Sequence, residues 1–240
     1  MKIGLIGYGK MGKAIERIAL ERGHSVVYKV DSKNTIDQTD LKQADVAIEF
    51  TRPDLVVNHI EACLEQQVPV VVGTTAWQSE LERISKLVSE KNGTLLHASN
   101  FSVGVNILFH INEKLAALMS AHPEYKAQIE EIHHIQKLDA PSGTAVSLAQ
   151  GLIANNQNYT SWKSETGSWP HTEASELPIQ AVREPDVPGT HTISYISNID
   201  TLTLSHEAHS RDGFALGSVV AAEFLAGKKG VFTMRDVLAF

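Results

Sequence analysis

Apolar and polar positions in the first hundred residues keep two rhythms in alternation. Short apolar runs predict buried strands over residues 2–6, 25–30, 46–50, 68–72 and 94–98. Between them, apolar residues recur three and four positions apart. This spacing predicts helices over residues 13–22, where Ile15, Ile18 and Ala19 share a face, and over residues 53–66 and about 79–90. Strand–helix alternation with short links predicts a parallel, doubly wound sheet, because each parallel crossover needs a helix to return the chain. Beyond Asn100 the rhythm changes. A long apolar helix is expected over residues 105–119 and a strand over 126–138. Further strands are expected over 179–182, 191–196 and 201–206, with no helices between them. Residues 155–176 show no period and read as a long loop. Strands without crossover helices indicate a second, α+β domain on a mixed or antiparallel sheet.

The first strand runs directly into Gly7-Tyr8-Gly9-Lys10-Met11-Gly12, and the second closes on Asp31, 19 residues past Gly12. A G-x-G-x-x-G string alone says little, but between a strand and a helix it meets the needs of a dinucleotide site. Gly7 permits the tight turn, Gly9 admits a pyrophosphate and Gly12 lets helix and strand pack closely. The helix start at Lys10 and Met11 offers N–H groups to phosphate. Asp31 is placed to accept hydrogen bonds from ribose hydroxyls. The other strand ends carry Phe50, Thr51, Gly73, Thr74, Thr75, Ser99, Asn100 and Phe101. In open α/β sheets ligands bind at that edge, here beside the nicotinamide half of the cofactor. Each of these residues taken singly is also an ordinary turn residue.

The densest chemistry lies in residues 131–145, Glu-Ile-His-His-Ile-Gln-Lys-Leu-Asp-Ala-Pro-Ser-Gly-Thr-Ala. On a continuous strand Glu131, His133 and Lys137 share a face. A histidine and a lysine there can supply a proton and a positive charge to one substrate. Ser142, Gly143 and Thr144 open the following helix, a ready site for a carboxylate. Two other readings exist: solvated histidines beside a capped helix, and a zinc site. Zinc is disfavoured because no cysteine is near and adjacent histidines on a strand point to opposite faces, so no metal is expected.

Composition narrows the setting. Hydrophobic residues make up 42% and charged residues 20% of 240 positions, enough apolar material for a core. The net charge of -7 argues against a nucleic-acid partner. The single cysteine, Cys63, excludes an internal disulfide and fits a reducing compartment. No apolar run is long enough to span a membrane, and the N-terminal run is too short for a signal peptide. The chain is expected to be cytoplasmic.

The 131–145 string resembles the central signature of the 4-hydroxy-tetrahydrodipicolinate reductase (dihydrodipicolinate reductase) family. The likeness extends to Phe50-Thr51-Arg52-Pro53, Gly73-Thr74-Thr75, Asn100 to Val105, Gly189-Thr190-His191-Thr192, Ser210-Arg211-Asp212-Gly213-Phe214 and Met234 to Leu238. The Gly-rich turn is one residue shorter than the usual family form, and Arg183-Glu184-Pro185 replaces a more usual Arg-x-Gly. The resemblance implies a Rossmann-type doubly wound sheet with an inserted α+β substrate domain on a mixed sheet. Residues 1–103 and 211–240 would bind the dinucleotide, and 104–210 the substrate. The final helix, about residues 213–227, and residues 231–238 would return to the nucleotide domain. The implied reaction is reduction of a cyclic dicarboxylate by NADH or NADPH in lysine and diaminopimelate biosynthesis. By matching positions, His133 and Lys137 would be catalytic. His134, Lys137, Ser142, Gly143 and Thr144 would bind substrate, and Arg211 and Phe214 would join the cofactor residues. A homotetramer through the substrate-domain sheet is implied. Two alternatives are an NAD(H) sensor without catalysis, which would not need the signature, and a dehydrogenase of an amino acid semialdehyde.

Overall fold

Strand β1 (Lys2–Ile6) enters the interior at once, with Ile3, Leu5 and Ile6 fully buried. It pairs in parallel with β2 (Ser25–Val30) on one side and β3 (Val46–Glu49) on the other. Strands β4 (Val70–Val72), β5 (Thr94–His97) and β11 (Gly230–Phe232) complete the sheet, in the order β11-β5-β4-β3-β1-β2. All its pairings are parallel. The computed structural model describes all residues, Met1–Phe240. They divide into two compact units, Met1–Val103 with Arg211–Phe240, and Gly104–Ser210.

The short strands of the first unit are apolar on both faces because helices cover both. Ile3, Leu5, Val46, Ile48, Val71 and Leu96 pack with Ile15 and Ile18 of α1 (Lys10–Glu21) and Val219 and Ala222 of α6 (Asp212–Phe224). Ile6, Ala47, Val70, Val72 and Leu95 face the opposite way. There they meet Ile60 and Cys63 of α2 (Val56–Glu65) and Ile84 and Val88 of α3 (Leu81–Glu90). Helix α6 lies very close to the chain after β5, where a Cβ on Gly217 would fall 1.7 Å from the Phe101 carbonyl oxygen. Ion pairs at the rim join α1 and the residue that caps it to α6, Arg17–Asp212 at 2.6 Å and Arg22–Glu223 at 2.7 Å. Helix α7 (Met234–Leu238) ends the chain, and its buried Met234 packs into the first of these cores.

The second unit begins with α4 (Val103–Met119), which starts at the unit boundary. It holds a five-stranded sheet of β6 (Lys126–His133), β7 (Ser161–Thr166), β8 (Glu176–Arg183), β9 (Gly189–Ile196) and β10 (Thr201–Ala208). The order is β10-β9-β6-β8-β7, antiparallel from β10 to β6 and parallel from β6 to β7. The sheet is therefore mixed. Its alternate residues Ala127, Ile129, Leu177, Ile179, Ile193 and Tyr195 pack on one face. They meet Leu108 and Ala116 of α4 and Leu148 and Leu152 of α5 (Gly143–Asn155). The two helices are joined by a buried bond in which Asn112 Nδ2 donates to the Leu148 carbonyl at 2.9 Å. The opposite face carries hydroxyls, with Thr192 and Ser205 paired at 2.8 Å.

Three expectations need correction. Helix α1 begins at Lys10 rather than Lys13, so Gly12 lies inside its first turn. The strand expected to run to residue 138 stops at His133, because its pairing with β8 ends at His133–Arg183 and the chain then turns with Lys137 N–H on the His134 carbonyl at 3.0 Å. Lys137 is thus on a turn and not on the strand face of Glu131. The stretch 155–176 contains β7, an edge strand paired only with β8. Its alternation is weak because an edge strand packs few side chains, and Trp162 alone reaches the core.

Candidate active site

The ends of β1, β2 and β3 open onto a cleft of about 730 Å3 lined by Gly7, Tyr8, Gly9, Asp31, Ser32, Phe50 and Thr51, among others. The Gly-rich turn bounds it tightly. Gly7 has φ +99, and a Cβ there would lie 2.0 Å from the Phe50 carbonyl, while a Cβ on Gly12 would lie 2.3 Å from the Gly7 carbonyl. Gly9 faces open space, with nothing within 4 Å of its ideal Cβ position, which is the access a phosphate requires. Lys10 and Met11 start α1 just beyond it. Asp31 Oδ1 accepts from the backbone N–H groups of Lys33 at 2.8 Å and Asn34 at 2.9 Å. These bonds, that of Asn34 foremost, hold its carboxyl below the ordinary range. The turn, the open approach and the oriented carboxylate fit a dinucleotide.

Thr51 N–H donates to Thr74 Oγ1 at 2.8 Å, so the ends of β3 and β4 are tied together. Gly73 follows β4, where its N–H donates to the Glu49 carbonyl at 2.9 Å. Thr75 and Ser99 line a small adjoining hollow with Trp77 and His97. Asn100 Oδ1 caps the next turn, accepting from Ser102 N–H at 2.8 Å, and Phe101 lies 5.8 Å from Phe50 between ring centroids. Arg211 and Phe214 stand at the start of α6. Sequence reasoning missed two residues at this edge. Glu49 is fully buried at the end of β3, accepts a bond from the Thr51 hydroxyl and lies 3.3 Å from His59 Nδ1. The only signal was an acid closing an apolar run.

The second unit gathers the signature residues around one carboxylate. Glu131 and His133 both lie on the buried face of β6. Glu131 Oε2 accepts from Ser142 N–H at 3.0 Å, and Oε1 accepts from Arg183 Nη2 at 3.2 Å. His133 Nδ1 lies 3.4 Å and His191 Nε2 3.8 Å from Oε2. Ser142 Oγ lies 3.1 Å from the same His191 nitrogen and accepts from Ala145 N–H at 3.2 Å, as the N-cap of α5. Ser142 therefore turns inward, while a Cβ on Gly143 would meet nothing within 4 Å. Thr144 follows in the first helical turn. Lys137 Nζ donates to both Asp139 oxygens at 2.8 and 2.9 Å, and Arg183 also holds the Asp139 carbonyl at 2.7 Å. His134, half-buried, begins the turn.

His191 and Arg183 are the residues that sequence reasoning left without a role here. Register brings them in, since Glu131 pairs with His191 across β9 and His133 with Arg183 across β8. Glu131, His133 and His191 each present a donor atom within 4.8 Å of one another, a juxtaposition that could hold a metal ion. Both Glu131 oxygens are already engaged by N–H donors, and the Arg183 and Lys137 cations oppose a further positive charge. The hydrogen-bonded arrangement is thus the better match to the donor set.

Burial pushes His133 down to about 4, against the pull of Glu131 and with the help of Lys137 and Arg183. Burial likewise pushes His191 down to about 3, with His133, His206 and Lys137 adding to the effect. Both imidazoles are neutral at neutral pH in the unliganded protein.

Two family models match the chain: "Dihydrodipicolinate reductase, N-terminus" over residues 1–101 and "Dihydrodipicolinate reductase, C-terminus" over residues 104–238. A 4-hydroxy-tetrahydrodipicolinate reductase of Christiangramia forsetii is 45% identical over 241 residues, covering 100% of this chain and 98% of the relative. One from Neisseria meningitidis is 34% identical over 227 residues, covering 93% and 83%. A solved dipicolinate-bound dihydrodipicolinate reductase from Paenisporosarcina sp. TG-14 superposes with a TM-score of 0.77 at 23% identity, covering 97% of each chain.

The two depressed histidines generate a stability prediction. The unfolded chain takes up protons on them near pH 6.5, whereas the folded chain resists until about 4 and about 3. Their contribution is therefore complete above about pH 6.5 and is lost as pH falls from there through about 4 for His133 and about 3 for His191. Urea midpoints at about pH 7 and about pH 5 should differ, with the lower at about pH 5. His191→Gln should narrow that difference, and an unchanged gap would contradict the assignment.

Proposed function

Because the chain belongs to the dihydrodipicolinate reductase family, we propose that it reduces 4-hydroxy-tetrahydrodipicolinate to tetrahydrodipicolinate with NADH or NADPH, the 4-hydroxyl leaving as water, and that His133 delivers the proton. This step belongs to lysine and diaminopimelate biosynthesis. The observation that carries the reading is the convergence of His133, Lys137 and the α5 N-terminus on one short stretch of the second unit. The nicotinamide supplies the hydride when bound.

The protein's own residues have three tasks. Gly7, Gly9, Lys10, Met11 and Gly12 receive the pyrophosphate, and Asp31 receives the adenosine ribose. Phe50, Thr51, Gly73, Thr74, Thr75, Ser99, Asn100, Phe101, Arg211 and Phe214 serve the rest of the cofactor. Lys137, His134, Gly143 and Thr144 hold the substrate carboxylates, with Ser142 shaping the turn beneath them. Helix N–H groups and an ammonium are both suited to carboxylate. To reach substrate, Lys137 exchanges its Asp139 partner for a substrate carboxylate, and its charge then stabilises developing charge at the ring nitrogen.

A proton donor held at about 4 is unprotonated at neutral pH. A bound dicarboxylate changes this, because two negative charges near the imidazole favour its cationic form. Substrate thus brings His133 the charge that lets it carry a proton. This reading also ranks the alternatives, since an NAD(H) sensor has no use for the cluster around Glu131. We further infer a cytoplasmic location, supported by the lone buried Cys63, and no helix is long and apolar enough to cross a membrane. A homotetramer through the second sheet is supported by the face opposite the helices, where Thr192, Ser194, Thr203 and Ser205 lack a covering layer.

The direct test is loss of NADH absorbance when protein, NADH and the freshly generated cyclic substrate are mixed. His133→Gln should lower turnover roughly 10²–10⁴-fold with cofactor affinity nearly unchanged. Calorimetry with dipicolinate in buffers of different ionisation enthalpy should show proton uptake by the parent protein and none by His133→Gln. Turnover within a few-fold of the parent would remove His133 from the proton-donor role.

Cofactor choice follows from two opposed groups at the rim. Asp31 repels a 2′-phosphate, while Lys33 and the Ser32 hydroxyl attract it, and solvent screens both. NADH should lead by less than about tenfold, or ~1.4 kcal/mol. Lys33→Ala should weaken NADPH more than NADH, and Asp31→Ala the reverse, as read by kcat/KM for both cofactors. Equal effects of Lys33→Ala on the two would show that Lys33 does not reach the phosphate. Light scattering at micromolar concentration should give the mass of four chains, and a monomer would refute the tetramer.

A further inference from the structure

The inward face of β6 reads Ala127, Ile129, Glu131, His133, so a carboxylate occupies a position where the alternation calls for an apolar side chain. Burying a carboxylate is costly unless every lone pair finds a donor. Glu131 offsets part of that cost with two hydrogen bonds from other elements, one from Ser142 N–H at the N-terminus of α5 and one from Arg183 on β8, and the imidazoles of His133 on its own strand and His191 on β9 stand 3.4 and 3.8 Å from Oε2.

We propose that Glu131 is the positioning residue for His133, taking the Nδ1 proton so that Nε2 is the nitrogen that exchanges a proton with substrate. The proposal rests on the reading that His133 is the proton donor. Three observations support it. Nδ1 is the nitrogen nearest the carboxylate, 3.4 Å from Oε2. Nε2 points toward Gly189, where a Cβ would stand 3.0 Å from it, so this side of the ring is left clear by the absence of a side chain. The His191 ring packs edge-on against His133 at 5.0 Å and 73°, limiting rotation about χ2. A carboxylate on one imidazole nitrogen fixes the tautomer and the ring plane while the other nitrogen does the chemistry. The same carboxylate holds Ser142 N–H, so the proton donor and the carboxylate-binding turn are set by one group.

The charged and titratable groups facing His133 are Glu131 on β6, Lys137 and Asp139 in the turn, Arg183 on β8 and His191 on β9. Glu131 supplies the negative charge closest to the ring. Its removal leaves Lys137 and Arg183 acting on the imidazole with only Asp139 to oppose them.

The test uses the full-length protein. Nitrogen NMR of the imidazole rings should show the neutral His133 as the Nδ1–H tautomer, and Glu131→Gln should abolish that preference. In turnover assays Glu131→Gln should lower kcat about 10²-fold with KM within a few-fold. The alkaline limb of kcat/KM, where the proton donor loses its proton, should move to lower pH by about one pH unit. Glu131→Asp should recover part of the rate and the original limb. A purely structural role would lower the fraction of folded enzyme and leave pH profile and tautomer unchanged, which would overturn the proposal. Should Glu131→Gln fail to fold, the tautomer in the parent protein decides, because an Nε2–H form there overturns it. If His133→Gln keeps its turnover while the Nδ1–H tautomer is observed, the proton-donor reading fails and the Glu131–His133 bond stands.

Discussion

A carboxylate sealed from water dictates its surroundings, and in the second unit Glu131 is that carboxylate. Its oxygens require donors, which come from Ser142 and Arg183, places far apart in sequence, while the rings of His191 and the neighbouring His133 pack beside it at 3.8 and 3.4 Å. Meeting them fixes the end of β6, the start of α5 and the register of β8 and β9 together. Losing one partner would leave charge uncompensated in the interior, which is far more destabilising than losing a surface pair. The proton donor, the turn that receives carboxylates and the frame of the sheet thereby share one electrostatic constraint.

The first unit solves a different problem. Its strands are covered on both sides and are apolar on both, so they carry little chemistry along their lengths. Polar function is displaced to their C-terminal ends, where Gly7 presses against the Phe50 carbonyl, Thr51 bonds Thr74 and Asp31 is held by Lys33 and Asn34. Dinucleotide recognition through backbone and edge is what such an interior permits. Glu49 shows the exception, a carboxylate buried at the end of β3 whose Oε1 meets the Thr51 hydroxyl and the His59 ring. The neighbouring Cys63 thiol is pushed up to about 12, by burial foremost and then by Glu49, which leaves it inert.

How much was legible depended on whether the physics was local. Strand β1, the Gly-rich turn and Asp31 were readable because a buried strand, a tight turn and an acid at fixed distance leave their mark within one short stretch. Helix α1 was legible as an element, and its start was misplaced because Gly12 suggested a turn where packing against the Gly7 carbonyl demanded a small helical residue. Strand β7 was hidden because an edge strand needs little apolar alternation. Lys137 was assigned to the face of Glu131 on the assumption that β6 continues, yet the strand ends where β8 stops pairing with it.

By itself the sequence determined the alternating parallel half, the glycine turn with its carboxylate, and the residue types of the 131–145 signature. These follow from periodicity, backbone permissiveness and the chemistry of individual side chains, all expressed over short distances along the chain. Only the tertiary structure decided that Glu131 is buried rather than solvated, that Arg183 and His191 stand against it, and that Ser142 faces inward beneath the helix start. The reason is that register between β6, β8 and β9 is a property of paired strands. No spacing within one segment encodes which residue of a distant strand will lie opposite a given carboxylate.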